Sequence, residues 1–134
     1  MLSAVADTTT HLAVLPGRAN AERAIETALR SSDPGWLATV VADRVHLIYE
    51  RCGYGAGDAV LEQIAAELVG LPGHPQIFRW TATSFVVMAR RRPLIALSEE
   101  LEATCILLPL GSVHSSAELA ARLDHHVALR VAAA

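Results

Sequence analysis

Phe78-Arg79-Trp80-Thr81-Ala82-Thr83-Ser84-Phe85-Val86-Val87-Met88-Ala89 is the stretch that decides how this chain folds. Read by alternation, Ile77, Arg79 and Thr81 point one way, while Phe78, Trp80 and Ala82 point the other. Phe85 to Ala89 is then a continuous apolar run, rich in aromatic and β-branched residues, as a strand buried on both faces requires. The join, Thr81-Ala82-Thr83-Ser84, is short enough for a hairpin turn. Its chemistry is unusual, because tight hairpin turns favour Gly, Asn or Asp at positions of positive φ, and two Thr and an Ala stand there instead. Flanking strands kept without their turn residues suggest a site altered from something else.

Upstream of this hairpin, Ala21, Ala24, Ile25, Ala28 and Leu29 recur at helical spacing, and Ser31-Ser32-Asp33-Pro34-Gly35 stops that helix. Trp36 to Ala42 reads as a strand central in its sheet. From Asp43 to Asp58 three glycines, Gly53, Gly55 and Gly57, predict a bent loop where backbone comes close to something. Asp58 then reads as the cap of a helix whose apolar stripe is Val60, Leu61, Ile64, Leu68 and Leu71, with Glu62, Gln63 and Glu67 opposite. Downstream, Pro93–Ala103 has room for a helical turn or two, and Thr104 to Leu110 is a further strand. Ser115 with Glu118 is a capping box, behind which Leu119, Leu123, Val127 and Val131 stripe the last helix.

The order of elements predicts an α+β fold, an α/β sandwich with a ferredoxin-like βαββ(α)β core, an N-terminal helix and helices on one face of the sheet. A crossover through the helix after the first core strand makes that strand parallel to the next. The 134 residues suit one domain, 12–134, after a flexible lead-in over 1–11. At 52% apolar residues the chain is no disordered polymer, yet no apolar run approaches a membrane span. Met1 to Asp7 lacks the basic and apolar regions of a signal peptide, and Cys52 and Cys105 belong to no pairing motif, so a reduced, cytoplasmic setting is expected. A net charge of −3 gives no electrostatic case for nucleic acid. All eleven basic residues are Arg, which removes every Lys a phosphate site could use. Arg90-Arg91-Arg92 is the one basic cluster, either a solvated strand end or a contact for an anion or partner. His125 and His126 are neighbours rather than one turn apart, a poor arrangement for a shared metal.

These stretches together resemble the GGDEF domain of bacterial diguanylate cyclases, which condense two GTP molecules into cyclic di-GMP. Leu12-Ala13-Val14-Leu15-Pro16-Gly17-Arg18 is similar to the family's opening motif L-T-x-L-x-N-R. Asp43 to Asp58 follows D-x-F-K-x-I-N-D-x-x-G-H-x-x-G-D without a gap, keeping Asp43, Ile48, Gly53, Gly57 and Asp58. Arg79 to Phe85 falls where the family has R-Y-G-G-D/E-E-F, and Ser116 to Arg130 where it has S-A-x-x-L-x-x-A-D-x-A-L-Y. The fold so implied is the nucleotide-cyclase type, with the segment between the hairpin and the last core strand shortened.

The departures carry the functional expectation. Such cyclases hold two divalent cations between paired GTP phosphates with carboxylates. The resemblance places the cation-holding acids at Val41 and Thr83, and neither side chain supplies the charge Mg²⁺ demands. The paired glycines become Thr81 and Ala82, followed by Ser84; the guanine-reading Asn becomes Tyr49, its Asp partner stays as Asp58, and the Lys becomes His46. Losing these groups forfeits several charge-assisted contacts of roughly 1.5–3 kcal/mol each. The product-inhibition motif R-x-x-D would run from Pro72 to Pro75, and neither its Arg nor its Asp is present. The expectation is a degenerate, catalytically inactive domain, a pseudoenzyme without cofactor or metal. It would act as an interaction or regulatory module on a protein partner, a signalling protein or another domain, with a homodimer open and no membrane insertion. The alternative is a GTP-sensing domain that binds without turnover and biases a partner. Asp58 is then either helix cap or residual nucleotide contact, Asp43 a turn residue or a ligand, and Tyr49 a plug in the old base pocket or a surface residue. The shortened segment 93–103 leaves one side of the sheet thinly covered, a candidate docking surface.

Overall fold

Trp36–Ala42 (β1) is apolar or β-branched at every position, and every residue after Trp36 is buried. A strand buried on both faces needs neighbours at both edges and cover on both sides. The computed structural model, which describes residues 11–133, supplies all four. Gln76–Thr81 (β2), Ser84–Ala89 (β3), β1 and Ala103–Pro109 (β4) form one sheet in the order β2-β3-β1-β4. β1 runs antiparallel to β3, with Val40 opposite Phe85, and antiparallel to β4, with Val40 opposite Cys105. β1 and β2 therefore run the same way, as expected of a crossover, but with β3 between them.

Among the described residues, Arg18–Leu29 (α1), Val45–Cys52 (α2), Tyr54–Val69 (α3) and Ser116–Ala133 (α4) are the long helices that accompany the sheet, and residues 11–14 are helical as well. The expectation of helices on one face is corrected, because they cover both. Leu37 and Val41 join Phe78, Trp80, Val86 and Met88 against Ala21 and Ile25 of α1 and Leu119, Leu123 and Val127 of α4. Ala38, Val40 and Ala42 join Ile77, Phe85 and Val87 against Leu61, Ile64, Ala65 and Leu68 of α3. The reason lies in β1 itself, whose alternate residues are apolar on both sides and must each be taken from water.

Several local expectations are also revised. Most of 43–58 is helix rather than bent loop, α2 and α3 meeting at Gly53, which takes φ +89°. α3 starts at Tyr54, so Asp58 lies inside the helix and does not cap it; the cap position is Gly53, with no side-chain bond. The stripe on α4 ends at Val127, since Val131 is 41% exposed. Glu62, placed by periodicity on the polar side of α3, is buried, and its carboxylate accepts bonds from His11 Nδ1 (2.7 Å) and the Leu12 backbone N–H (3.2 Å). His11 is thus fixed against α3, while the rest of the lead-in, 1–10, lies outside the described residues.

One half of the expected capping box forms at α4, where the Glu118 N–H donates to Ser115 Oγ at 3.1 Å. The short segment before β4 holds one 3₁₀ turn, Glu99–Leu101. Ser98 is tied to α3 through Glu67, whose carboxylate accepts from the Ser98 N–H (2.9 Å) and hydroxyl (2.7 Å). These bonds hold the Glu67 carboxyl below its ordinary range.

Candidate functional site

Residues singled out from the sequence meet at the C-terminal end of β1. Val41 is fully buried and lies opposite Ser84 in the β1–β3 ladder. The Ala42 N–H donates to the carbonyl of Thr83 at 2.9 Å, so the hairpin turn is hooked onto the end of β1. Ala82 and Thr83 form the two-residue turn, and neither takes a positive φ. The register between β2 and β3 shifts between Arg79 and Thr81, an irregularity that lets the strands close without the usual turn glycine. Hydroxyls do the rest. Ser84 Oγ accepts from the Thr81 N–H (3.2 Å) and bonds the Thr81 hydroxyl, which accepts from the Thr83 N–H (3.3 Å). Arg79 donates from its guanidinium to the Ala82 carbonyl (2.8 Å) and from its N–H to the Pro16 carbonyl (2.8 Å).

Asp43, just past β1, is the acid nearest this turn along the strand. One carboxylate oxygen accepts from Arg130 Nε of α4 at 2.9 Å, and the other accepts from the Thr104 hydroxyl of β4. Asp43 stands in the turn between β1 and α2, as the turn reading expects, and its side chain ties the end of β1 to β4 and to α4. His46 is half-buried on α2, one turn before Tyr49 on the helix.

Tyr49 and Asp58 form a second cluster. A Cβ on Gly57 would come within 2.2 Å of the Tyr49 ring, so the close approach foreseen from the glycines is that of an aromatic face against the α3 backbone. The ring also meets Tyr54, with centroids 5.2 Å apart. The Tyr49 hydroxyl donates to Asp58 Oδ1 at 2.9 Å. Burial first, and then this bond to a carboxylate, push the phenol above its ordinary value of 10.0.

The carboxylates here do not form a cation cage. Among the described residues, no group of three or more His, Cys, Asp or Glu side chains could hold a metal ion. Val41 is an aliphatic side chain without exposure, Thr83 is neutral, and Asp43 already faces Arg130. The donor set does not fit Mg²⁺, which needs oxygen ligands carrying negative charge.

Three residues that sequence spacing did not single out make a further cluster. Arg18 on α1 donates through both terminal nitrogens to Asp124 on α4, each bond at 2.8 Å. Its guanidinium lies 4.1 Å from the centroid of Trp80 on β2, whose Nε1–H donates to Asp124 Oδ1 at 3.0 Å. The only sequence signal was that Arg18, Trp80 and Asp124 each fall within a stretch similar to a family motif. A cleft of about 300 Å³ lies elsewhere, along β4, lined by Cys105 and by residues of the segment 93–103 beside which a docking surface was expected, Ile95, Leu97 and Ser98 among them; none of the expected active-site positions lines it.

An antiparallel sheet of order β2-β3-β1-β4 between two helical layers places the chain in the nucleotide-cyclase-like class of α/β folds. Within that class it has the fold of the GGDEF domains of diguanylate cyclases and LapD. The GGDEF domain of YfiN (TpbB) from Pseudomonas aeruginosa superposes with a TM-score of 0.64 at 25% identity, over 90% of this chain and 92% of that one. LapD from Vibrio cholerae, an S helix-GGDEF-EAL protein bound to c-di-GMP, gives 0.65 at 21% identity over 86% of this chain and 32% of its own. The diguanylate cyclase SiaD from Pseudomonas aeruginosa, in complex with its activator SiaC, gives 0.61 at 21% identity over 87% and 55%. The chain thus spans about a third of the LapD chain and nearly all of the YfiN domain. No family model matches the sequence, and no curated protein matches it. Among the described residues no helix is long and apolar enough to cross a membrane.

Proposed function

We propose that this is a degenerate GGDEF domain that does not synthesise cyclic di-GMP and acts instead as an interaction or regulatory module in cyclic di-GMP signalling. One observation carries the reading: where the resemblance expects cation-holding acids, the end of β1 presents Val41, fully buried, and the hairpin presents Thr83. Phosphoryl transfer in this class is positioning plus electrostatics, so a site without its cations loses the main source of rate. Asp43 does not substitute, because Arg130 balances its charge and Thr104 holds its second oxygen.

The nucleotide-sensing alternative has less support. Tyr49 stands at the guanine-reading position, its ring against Gly57, and its hydroxyl takes an oxygen of Asp58, the one guanine-reading group retained. A base that pairs with both oxygens of Asp58 must displace that bond. The interaction role draws support from two proteins of the same fold: LapD carries its GGDEF region within a longer chain, and SiaD is held by a protein activator. A cytoplasmic domain whose partner is a signalling protein or a neighbouring domain follows from this reading.

Thermal unfolding with and without millimolar GTP and Mg²⁺ tests it. A ligand at about 100 times its Kd adds about 2.7 kcal/mol of stability. The expected result is an unchanged midpoint and no cyclic product. A raised midpoint without product establishes the sensor instead, and product formation refutes both.

A further inference from the structure

We propose that β4 is the pairing edge of a homodimer, in which the β4 strands of two copies run antiparallel about a two-fold axis near Ile106. The inference goes beyond the reading above and holds whether or not the domain turns over GTP.

β4 is the outer strand of the sheet on the side away from β2, and its residues Ala103 to Pro109 are half-buried or exposed throughout. Its backbone is bonded to β1 on one side, and residues 104–108 make no backbone bond outside that ladder among the described residues. Edge strands are ordinarily protected by charges, bulges or covering segments. The run Ala103-Thr104-Cys105-Ile106-Leu107-Leu108-Pro109 has no charged residue and no register shift against β1, and its only proline is terminal. Such an edge is built to be paired.

Charge placement selects the partner. The Pro109 end of β4 lies opposite Trp36, and Arg92 stands over the Trp36 ring at 5.5 Å, so Arg90-Arg91-Arg92 collects at that end. The Ala103 end follows directly on Glu99, Glu100 and Glu102. All six side chains are exposed, and of them only Glu102 makes an ion pair, with Arg44, among the described residues. The edge is therefore basic at one end, acidic at the other and apolar between. Antiparallel pairing of two identical edges sets each basic end against the partner's acidic end, and a two-fold contact makes both matches at once. Parallel pairing would set like charges together. The segment between β3 and β4 also carries Leu94, at 86% the most exposed large apolar side chain among the described residues.

Sedimentation velocity on the 134-residue chain over a concentration series reads the association. The expected result is a doubling of mass as concentration rises. Glu99→Arg with Glu100→Arg makes both ends basic, and Arg90→Glu with Arg91→Glu makes both ends acidic. Each charge variant alone is expected to stay monomeric, and an equimolar mixture of the two to regain the dimer. As a second measurement, a short bis-maleimide should cross-link a Cys52→Ser variant through Cys105. A chain that stays monomeric at every concentration overturns the proposal, and so does a dimer that both charge variants keep or that cannot be cross-linked at Cys105.

Discussion

Gly57 shows how much one absent Cβ decides. The Tyr49 ring fills the space a side chain there would need, within 2.2 Å, and from that position its hydroxyl reaches Asp58. Gly57→Ala is expected to cost about 1–3 kcal/mol, the range for overpacking a filled site. In a Tyr49→Ala background most of that cost should vanish, because the clashing ring is gone. Chemical denaturation of the two single variants and the double variant measures the coupling, and simple additivity would disprove the contact. The sequence made Gly57 conspicuous and offered two places for Tyr49. What fixed its place was the helical path of 54–58, which brings Asp58 beneath the hydroxyl.

At the scale of elements, α4 shows where periodicity stops being informative. Leu119, Leu123, Val127 and Val131 have the same spacing in sequence, but only the first three reach the sheet. Leu123→Ala is expected to destabilise the fold by about 2–5 kcal/mol, the cost of an unfilled core site. Val131→Ala should change stability by less than about 0.5 kcal/mol, as exposed positions do. Urea unfolding of the two variants separates them, and equal losses would mean that α4 packs over its whole length. α3 shows the converse. Glu62 has the spacing of a solvated residue, yet it is buried because residues 11 and 12 close over it and satisfy its oxygens. Periodicity describes a helix by itself, and the segment that covers it comes from elsewhere in the chain.

For the molecule as a whole, long-range polar ties join elements that the core alone would leave free to slide. Arg18, Trp80 and Asp124 bring α1, β2 and α4 to one point, and Asp43, Thr104 and Arg130 bring the end of β1, β4 and α4 to another. The bonds from Arg18 hold the Asp124 carboxyl below its ordinary value of 3.8, with Trp80 acting in the same direction against the cost of burial. Its folded-state pKa lies below the unfolded one. The contribution is therefore present above the ordinary carboxylate pKa and is lost as pH falls through the depressed value. Asp124→Asn is expected to lower stability at neutral pH, and the gap between variant and parent should close as pH drops below about 4. Denaturation midpoints at a series of pH values test this, and a gap constant down to strong acid would remove Asp124 from the account. The shared value of the cluster stays modest because both Arg18 and Asp124 are partly open to water.

The sequence by itself determined the strands, because two-residue alternation and continuous apolar runs are properties of neighbouring residues. It also determined which charges are absent at positions 41 and 83, since neither an aliphatic nor a neutral hydroxyl side chain supplies negative charge wherever the fold puts it. Only the tertiary structure decided that both faces of the sheet are covered, that Asp58 sits inside a helix under Tyr49, and that Arg18 meets Asp124 across 106 positions. Those outcomes depend on which segments come together after the chain closes on itself, and no local pattern of residues carries that information.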